Sequence, residues 1–520
     1  MRSVVVSLLL MLCCVPLIAQ QHNQQQIQKL NYVYNYLRNN YVDDIDLEPL
    51  VESAIEATLQ ELDPHSSYIP REEMLKMLSS MDGEFTGIGI SFTTLRDTVI
   101  VSRVIPDSPA EYAGLRKNDR IVAIDGKSVV GSDSDTVQSM LRGRRGDNVS
   151  LTITRRAEEM FHEVNIKRGD IATPSIVAAF MIDDIAYIYV NSFLSRNVVA
   201  EFKQAAQSLS GAKGMIIDLR DNAGGLLAAA VEFSELFLKR GDIIVSTIGR
   251  KKETIYEAMN DGEYCDTPLV VLINENSASA SEIVSGALQD HDRAAIIGRR
   301  SYGKGLVQRL IKLNDESGFM ITIAHYYTPS GRDIQRPYNN GDRDSYFNDM
   351  DRYNHPDSIH YDILPKYTTL RNGRIVYGGG GIIPDVYITP GSGHQHTFVS
   401  ELTAKGLTHE LIATYFDSHD ISTFRRDYPT LQSFIDGFDF DDEFRDYIIN
   451  IVCGGDKNLA KDKDGIAVAI DIIKAQIADD IYGHGAYYRL FGHTVDDTFS
   501  KAIEIVKDRE MMESLLGAKE

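Results

Sequence analysis

The chain is short of cysteine, of positive charge and of long apolar runs, and each shortage closes off a class of protein. Four cysteines in 520 residues cannot form the dense disulfide framework of a small secreted scaffold, and a chain of this length can build its cores without one. Against 53 Lys and Arg stand 75 Asp and Glu, a net charge of −22. Such a surface repels nucleic-acid phosphate and anionic lipid, so nucleic acid is excluded as a partner. Beyond the N-terminus no stretch approaches the roughly 20 apolar residues needed to span a bilayer. What remains is a composition that is 43% hydrophobic and 25% charged, ordinary for packed cores, in a chain long enough for about three domains.

The first twenty residues differ from the rest. Arg2 is their only charge, Val4 to Ile18 is apolar, and Ala19 precedes the polar run Gln20 to Gln26. This is the pattern of a secretory signal peptide over residues 1–19. The mature chain is therefore expected to be exported, to the periplasm or cell envelope, with no membrane span. Cys13 and Cys14 leave with the signal, and Cys265 and Cys453, nearly 190 positions apart, are expected to be free.

Periodicity divides the mature chain into four parts. Residues 20–82 carry helical spacing over Gln25 to Arg38 and Leu47 to Leu62, ended by Pro64. Residues 83–169 change to short alternating strands (Gly87 to Phe92, Val99 to Val104, Arg120 to Ile124, Val149 to Arg155) with one helix near Ser134 to Arg142. Over 170–390, strands such as Ile185 to Val190, Gly214 to Leu219 and Leu269 to Ile273 alternate with helices such as Ala200 to Leu209 and Leu226 to Leu238, which is α/β organisation. Residues 391–520 are predicted to form a separate all-α module with acidic loops. The fold class is α/β, multidomain.

The densest chemical signal follows the apolar strand Leu269 to Ile273. Ala280, Ile283, Val284, Ala287 and Leu288 keep helical spacing, so a helix packs on that strand with one of Ser277, Ser279 or Ser281 at its start. Ser279 and Glu282 also form a capping-box pattern, which needs no catalysis. A serine on a strand-to-helix turn nevertheless faces the orphan N–H groups of the helix terminus, where an oxyanion can be held. A general base is still required. His291 lies between Asp290 and Asp292 in what is expected to be an exposed turn, while Lys304, between Gly303 and Gly305, can serve only where its surroundings depress its pKa.

The run Ser277 to Asp290, the 25-residue step from Ser279 to Lys304 and the segment Ile217 to Leu226 resemble the carboxyl-terminal processing, or tail-specific, serine proteases. The same resemblance extends, in order, to Leu62 to Tyr68, Gly83 to Gly89, Tyr326 to Gln335 and Gly381 to Asp385, over about residues 25 to 390. It implies Ser279 as nucleophile, Lys304 as general base and Gln308 as the residue that orients the lysine, with no metal and no cofactor. It also implies an oxyanion hole from the backbone N–H of Ala280 and of Gly224 or Gly225, a choice left open. Glycine there lets backbone approach a scissile carbonyl.

Residues 83–169 resemble a PDZ domain, in which Gly87, Ile88, Gly89 and Ile90 match the loop that takes a peptide's terminal carboxylate. Arg142 resembles an arginine that couples ligand sensing to the protease. His394 and His396, and the segment Asp462 to Gly465, lack the spacing of a metal site. The expected function is an exported serine endopeptidase that captures the C-terminal tails of protein substrates in its PDZ domain. The alternatives are a peptide-binding adaptor or chaperone with a dead protease core, which the intact Ser279, Lys304 and Gln308 argue against, and a small-molecule acyl-transfer enzyme, for which a PDZ domain has no use. The acidic tail helices are read as packing on the core, covering the site or assembling a homo-oligomer.

Overall fold

The computed structural model describes residues 24–81, 84–95, 97–155, 158–338, 342–348, 359–389, 396–419, 421–483, 485–494 and 496–517; the expected signal peptide and His394 lie outside them. The N-terminal part is helical over 24–40 and Leu47–Gln60, the latter started by Asp46, whose carboxylate accepts from the Glu48 N–H. Among the described residues no helix is long and apolar enough to cross a membrane.

The PDZ-like unit is a sheet in the order Ile90–Leu95, Thr98–Val104, Arg120–Ile124, Asn148–Arg155, Glu158–Lys167, all neighbours antiparallel, with helices Pro109–Tyr112 and Ser134–Leu141. The expected strand Gly87 to Phe92 is two strands. Glu84–Gly87 leaves the sheet to pair with Gly169–Ala172, closing the unit where the chain enters and exits, and Gly89, at φ 85°, makes the turn between them. Arg168 is buried beneath this closure and donates to the carbonyls of Met140, Leu141 and Asn148, satisfying the helix C-terminus.

The α/β part has a sheet in the order Ile176–Ile182, Ile185–Val190, Gly214–Asp218, Leu269–Ile273, Ala295–Gly298, Val386–Tyr387. Its first pair is antiparallel and the rest parallel. Alternate residues face opposite ways. Met215, Ile217, Val271, Ile273 and Ile296 bury against helices Val198–Ser208, Leu227–Glu235 and Ala280–Asp290, through Phe202, Phe233 and Ile283. Tyr187, Ile216, Val270, Leu272 and Ile297 bury on the other face, against Phe499, Ala502, Ile505, Val506 and Met512.

That second layer comes from the chain's end. Helices Asp497–Lys507 and Arg509–Leu515, assigned by sequence to the separate C-terminal module, cover this α/β sheet. At roughly 1.5–3 kcal/mol for each fully buried large apolar side chain, Phe499, Ile505, Val506 and Met512 together contribute on the order of 6–12 kcal/mol, comparable with the ~5–15 kcal/mol net stability of a domain. These helices are part of the core. The remaining tail helices form their own cluster around Phe398, Phe434, Ile448 and Ile473, and Asp480 at the end of Lys463–Tyr482 pairs with Lys117 of the PDZ-like unit.

A second sheet, wholly antiparallel, sits beside the first in the order Ser67–Ile69, Gly318–Tyr327, Ile243–Gly249, Glu253–Glu257, with Leu306–Lys312 also on Gly318–Tyr327. It brings residues 63–69 next to the strand that follows Lys304.

Candidate active site

Two loops leave the carboxyl ends of adjacent parallel strands, the place where open α/β sheets present their ligand sites. One, after Leu269–Ile273, carries Ser279; the other, after Gly214–Asp218, carries Gly224 and Gly225. They are stitched together. The Ala278 N–H donates to Asn222 O at 3.0 Å, the Ser281 hydroxyl to the same oxygen at 2.8 Å, and the Ser277 hydroxyl to Leu219 O at 2.8 Å. Ser277 and Ser281 are thus buried and occupied in holding the loops. Ser279 is the half-exposed member of the trio.

Ser279 is the N-cap of Ala280–Asp290 at φ 54°, ψ −110°, far from the extended backbone usual at an N-cap. A non-glycine residue held there stores strain of the kind found at catalytic turns. The capping partner is present: Glu282 Oε2 accepts from the Ser279 N–H at 2.9 Å. The same oxygen accepts from the Lys304 N–H at 2.8 Å, and Oε1 accepts from the Gly303 N–H at 2.7 Å and the Ser301 hydroxyl at 2.5 Å. The Ser301 oxygen itself accepts from the Ile382 N–H at 2.6 Å, which commits its proton to Glu282. Four donors and no acceptor around a fully buried carboxyl group suit the ionised form. Burial pushes the Glu282 pKa up, and these hydrogen bonds oppose it.

Tyr326 provides a second clamp. Its buried hydroxyl lies 2.5 Å from Lys304 O and 3.1 Å from Ser279 O. Lys304 itself is half-buried, and burial lowers its pKa against the pull of Glu282 and Asp63. That is the environment a lysine needs to accept a proton.

Gln308 is four residues beyond, on the strand Leu306–Lys312, and its Nε2 donates to His65 O at 2.5 Å. His65 has its Nε2 2.8 Å from the Tyr346 hydroxyl and its ring against Tyr302, Tyr346 and Phe347. Burial, then the charge of Lys304, takes its pKa down to about 3, so it is neutral beside the lysine. Asp63 accepts from the N–H groups of His65 and Ser66 at 2.9 Å each. Sequence reasoning gave Glu282 only a capping role and gave Tyr326, Asp63 and His65 none; the signal available was that all lie in family-like motifs.

Gly224 packs directly on the serine turn, where a Cβ would stand 2.8 Å from Ala280 N. Its N–H donates to Asn222 Oδ1 at 2.9 Å. Gly225, at φ 155°, touches Phe193 so closely that a Cβ would lie 2.1 Å from the Phe193 carbonyl carbon. Among the described residues, the N–H groups of Gly225 and Ala280 have no acceptor.

His291 corrects an expectation. It is buried, 4% exposed, with Nε2 2.7 Å from Ile243 O, because Asp290 pairs with Arg332 and Asp292 with Arg374 and the whole turn is drawn inward. It caps the far end of the serine helix, about 18 Å from Ser279 at 1.5 Å per residue. Cys265 and Cys453 are free. Asp462 accepts from the N–H groups of Phe398 and Gly465, a helix-capping role, and His396 leans on it with Nδ1 at 3.1 Å.

In the PDZ-like unit, Gly87 closes the strand Glu84–Gly87. Ile88 is buried with its carbonyl accepting from the Ala110 N–H at 2.8 Å, and Ile90 opens the edge strand Ile90–Leu95. At Gly89 a Cβ would stand 2.2 Å from Ser108 Cβ. Arg142 is the half-buried C-cap of Ser134–Leu141.

Three family models match the chain: one described as peptidase family S41 over residues 184–342, one as a PDZ domain over 100–155, and one as the N-terminal domain of the activating protease CtpB over 17–73. A Bartonella bacilliformis protein named carboxy-terminal-processing protease is 38% identical over 324 residues, which are 61% of this chain and 74% of that protein. A Staphylococcus haemolyticus protein named probable CtpA-like serine protease is 34% identical over 316 residues, 60% of this chain and 63% of its own length. Among solved structures, a photosystem II D1 C-terminal processing protease is 28% identical, with 69% of this chain and 86% of that chain covered at a TM-score of 0.36.

Proposed function

The chain belongs to peptidase family S41, the carboxy-terminal-processing serine peptidases, and from that premise we propose that it is an exported endopeptidase that holds the C-terminal tail of a protein substrate in its PDZ domain and cuts the substrate with a Ser279–Lys304 pair. The observation that carries this reading is the shared anchoring of the Ser279 and Lys304 backbones on Glu282 Oε2, with burial lowering the lysine pKa.

Neutral Lys304 takes the Ser279 proton, and the alkoxide attacks the scissile carbonyl. The developing oxyanion is met by the N–H groups of Ala280 and Gly225, since that of Gly224 is engaged by Asn222. The protonated lysine gives its proton to the leaving amine, and water then hydrolyses the acyl-enzyme. Gln308, its amide nitrogen tied to His65 O, keeps its carbonyl oxygen as the acceptor that orients the lysine. In the PDZ domain, Gly87 to Ile90 receive the tail carboxylate, the edge strand Ile90–Leu95 adds the tail as a further strand, and Arg142 relays occupancy to the protease.

The test is digestion of a poorly folded protein with an apolar C-terminal tail by the mature chain, Ser279→Ala and Lys304→Ala, with the tail carboxylate free or amidated. Cleavage by the parent alone, slowed by amidation, supports the proposal. Binding without cleavage by all three sinks the catalytic pair and leaves a peptide-binding adaptor.

A further inference from the structure

Arg220 follows the strand Gly214–Asp218 and opens the loop that carries Gly224 and Gly225. Its guanidinium is held on two sides. Nε and Nη2 donate to Asp218, at 3.0 Å to each oxygen and 2.6 Å from Nη2 to Oδ2, and Tyr187 adds its hydroxyl to that carboxylate at 2.7 Å. Nη1 donates to Asp496 Oδ2 at 2.6 Å, 276 positions away in the sequence. The cluster is nearly dry, with side-chain exposures of 2% for Asp218, 19% for Arg220 and 11% for Asp496.

Asp496 divides its two oxygens between two tasks. Oδ1 caps the helix Asp497–Lys507, accepting from the Thr498 and Phe499 N–H groups at 3.0 and 3.1 Å, while Oδ2 faces Arg220. The helix it starts is the one whose Phe499, Ala502 and Ile505 cover the protease sheet. The carboxylate is therefore fixed to the core from its own side before it meets the arginine.

Downstream of Arg220, Asp221, Asn222, Gly224 and Leu226 are each tied onward. The Asp221 N–H donates to Asn274 Oδ1 at 2.9 Å, and Asp221 Oδ1 accepts from the side chains of Asn274 and Asn276 at 2.9 and 2.8 Å. Asn222 holds Val190 O at 2.8 Å and the Gly224 N–H, and Gly224 O with Leu226 N–H brackets Phe193. The arginine is the point at which this chain of bonds is referred to the C-terminal helical layer, beside its ties to Val190 and Asn274.

We infer that Asp496, in the C-terminal segment beyond the peptidase match, is a positioning residue for the oxyanion-hole loop, acting through Arg220 on the placement of the Gly225 N–H. This rests on the Ser279–Lys304 reading. Losing the carboxylate leaves a nearly buried guanidinium N–H unpaired, a strongly unfavourable state that the loop relieves by moving. A donor displaced by a fraction of an ångström binds a substrate carbonyl about as well as before but stabilises the tetrahedral oxyanion less, so the loss falls on kcat.

The chemistry of the cap provides a clean variant. Asparagine caps a helix as well as aspartate, so Asp496→Asn keeps the Oδ1 bonds while turning an amide NH2 toward Arg220. Asp508→Ala is the control, because it removes the cap of the neighbouring helix, whose carboxylate accepts from the Met511 N–H at 2.9 Å, without touching the loop. On the full mature chain, kcat and KM for a fluorogenic peptide are measured together with amide hydrogen exchange over residues 219–226. Asp496→Asn is expected to lower kcat about tenfold with KM within twofold of the parent, and to speed exchange over 219–226; Asp508→Ala is expected to change neither. Parent kcat and parent exchange in Asp496→Asn overturn the inference, as does an equal loss in both variants, which would mark a general loosening of the helical layer. A parent chain that cleaves nothing defeats the protease reading instead, and the exchange measurement then decides by itself whether Asp496 holds the loop.

Discussion

Ser279 and Lys304, 25 positions apart in the sequence, donate their backbone N–H groups to a single oxygen, Oε2 of Glu282, at 2.9 and 2.8 Å. The proposed nucleophile and base are thus referenced to one buried carboxylate, and Tyr326 repeats the arrangement from the carbonyl side. The main chain beneath their side chains cannot drift apart without breaking charge-assisted hydrogen bonds.

Glu282→Gln tests this anchor. An amide places an NH2 against two of the four donors that now meet the carboxylate, so kcat is expected to fall at least tenfold. The charge that raises the Lys304 pKa is also removed, so the acid limb of kcat/KM moves to lower pH in whatever activity remains. A variant with the parent profile and rate shows that Glu282 only fills space. The measurement is the pH dependence of peptide hydrolysis.

The pH dependence of the parent follows from Lys304. In the proposed mechanism only neutral Lys304 accepts the Ser279 proton, so kcat/KM is expected to fall as pH drops through the Lys304 pKa, and burial places that limb below the ordinary lysine value. The same shift carries a stability term. The unfolded lysine binds its proton more tightly than the folded one, so stability rises with pH between the folded and unfolded values. Urea midpoints for the parent and Lys304→Met across that range check the sign: the slope is expected in the parent and absent in the variant.

His65 makes the opposite end of the pH scale informative. Its folded pKa of about 3 lies below the unfolded value near 6.5, so its neutral form stabilises the fold above pH 6.5 and that stabilisation is lost as pH falls toward 3. His65→Phe, which keeps an aromatic ring against Tyr302 and Phe347, is expected to flatten the acid slope of stability over this window. Equal slopes in the two proteins would show that other groups set the acid limb.

The pair between Arg332 and Asp290, both fully buried, anchors the far end of the serine helix to the segment Tyr326 to Gln335. Arg332 also reaches Gln289 Oε1 at 3.1 Å and Tyr377 O at 3.2 Å. Arg332→Met strands a buried carboxylate and is expected to cost about 3–5 kcal/mol in denaturant unfolding. Arg332→Met with Asp290→Leu is expected to recover part of that loss. A single substitution costing under ~1 kcal/mol would mean that water reaches Asp290.

Much of the fold was legible locally. Strands Ile185–Val190 and Leu269–Ile273 stand where their apolar runs place them, and the serine helix starts where the capping pattern and the spacing of Ala280, Ile283 and Val284 put it. The turn around His291 was misread as exposed, because its flanking aspartates look solvated until Arg332 and Arg374 arrive from remote segments. The last two helices looked like part of an independent tail for the same reason. An amphipathic stripe shows that a face is buried, not against what.

The sequence by itself determined the kinds of element, their order, and the identity and spacing of Ser279, Lys304 and Gln308, because periodicity, capping and motif spacing act over a few residues. Tertiary structure alone decided the neighbours that set their chemistry. Gln308 meets His65 across 243 positions and Arg220 meets Asp496 across 276. A lysine's pKa, a carboxylate's charge state and the direction of a backbone N–H all depend on burial and on partners brought from far along the chain, and neither is encoded within reach of the residue itself.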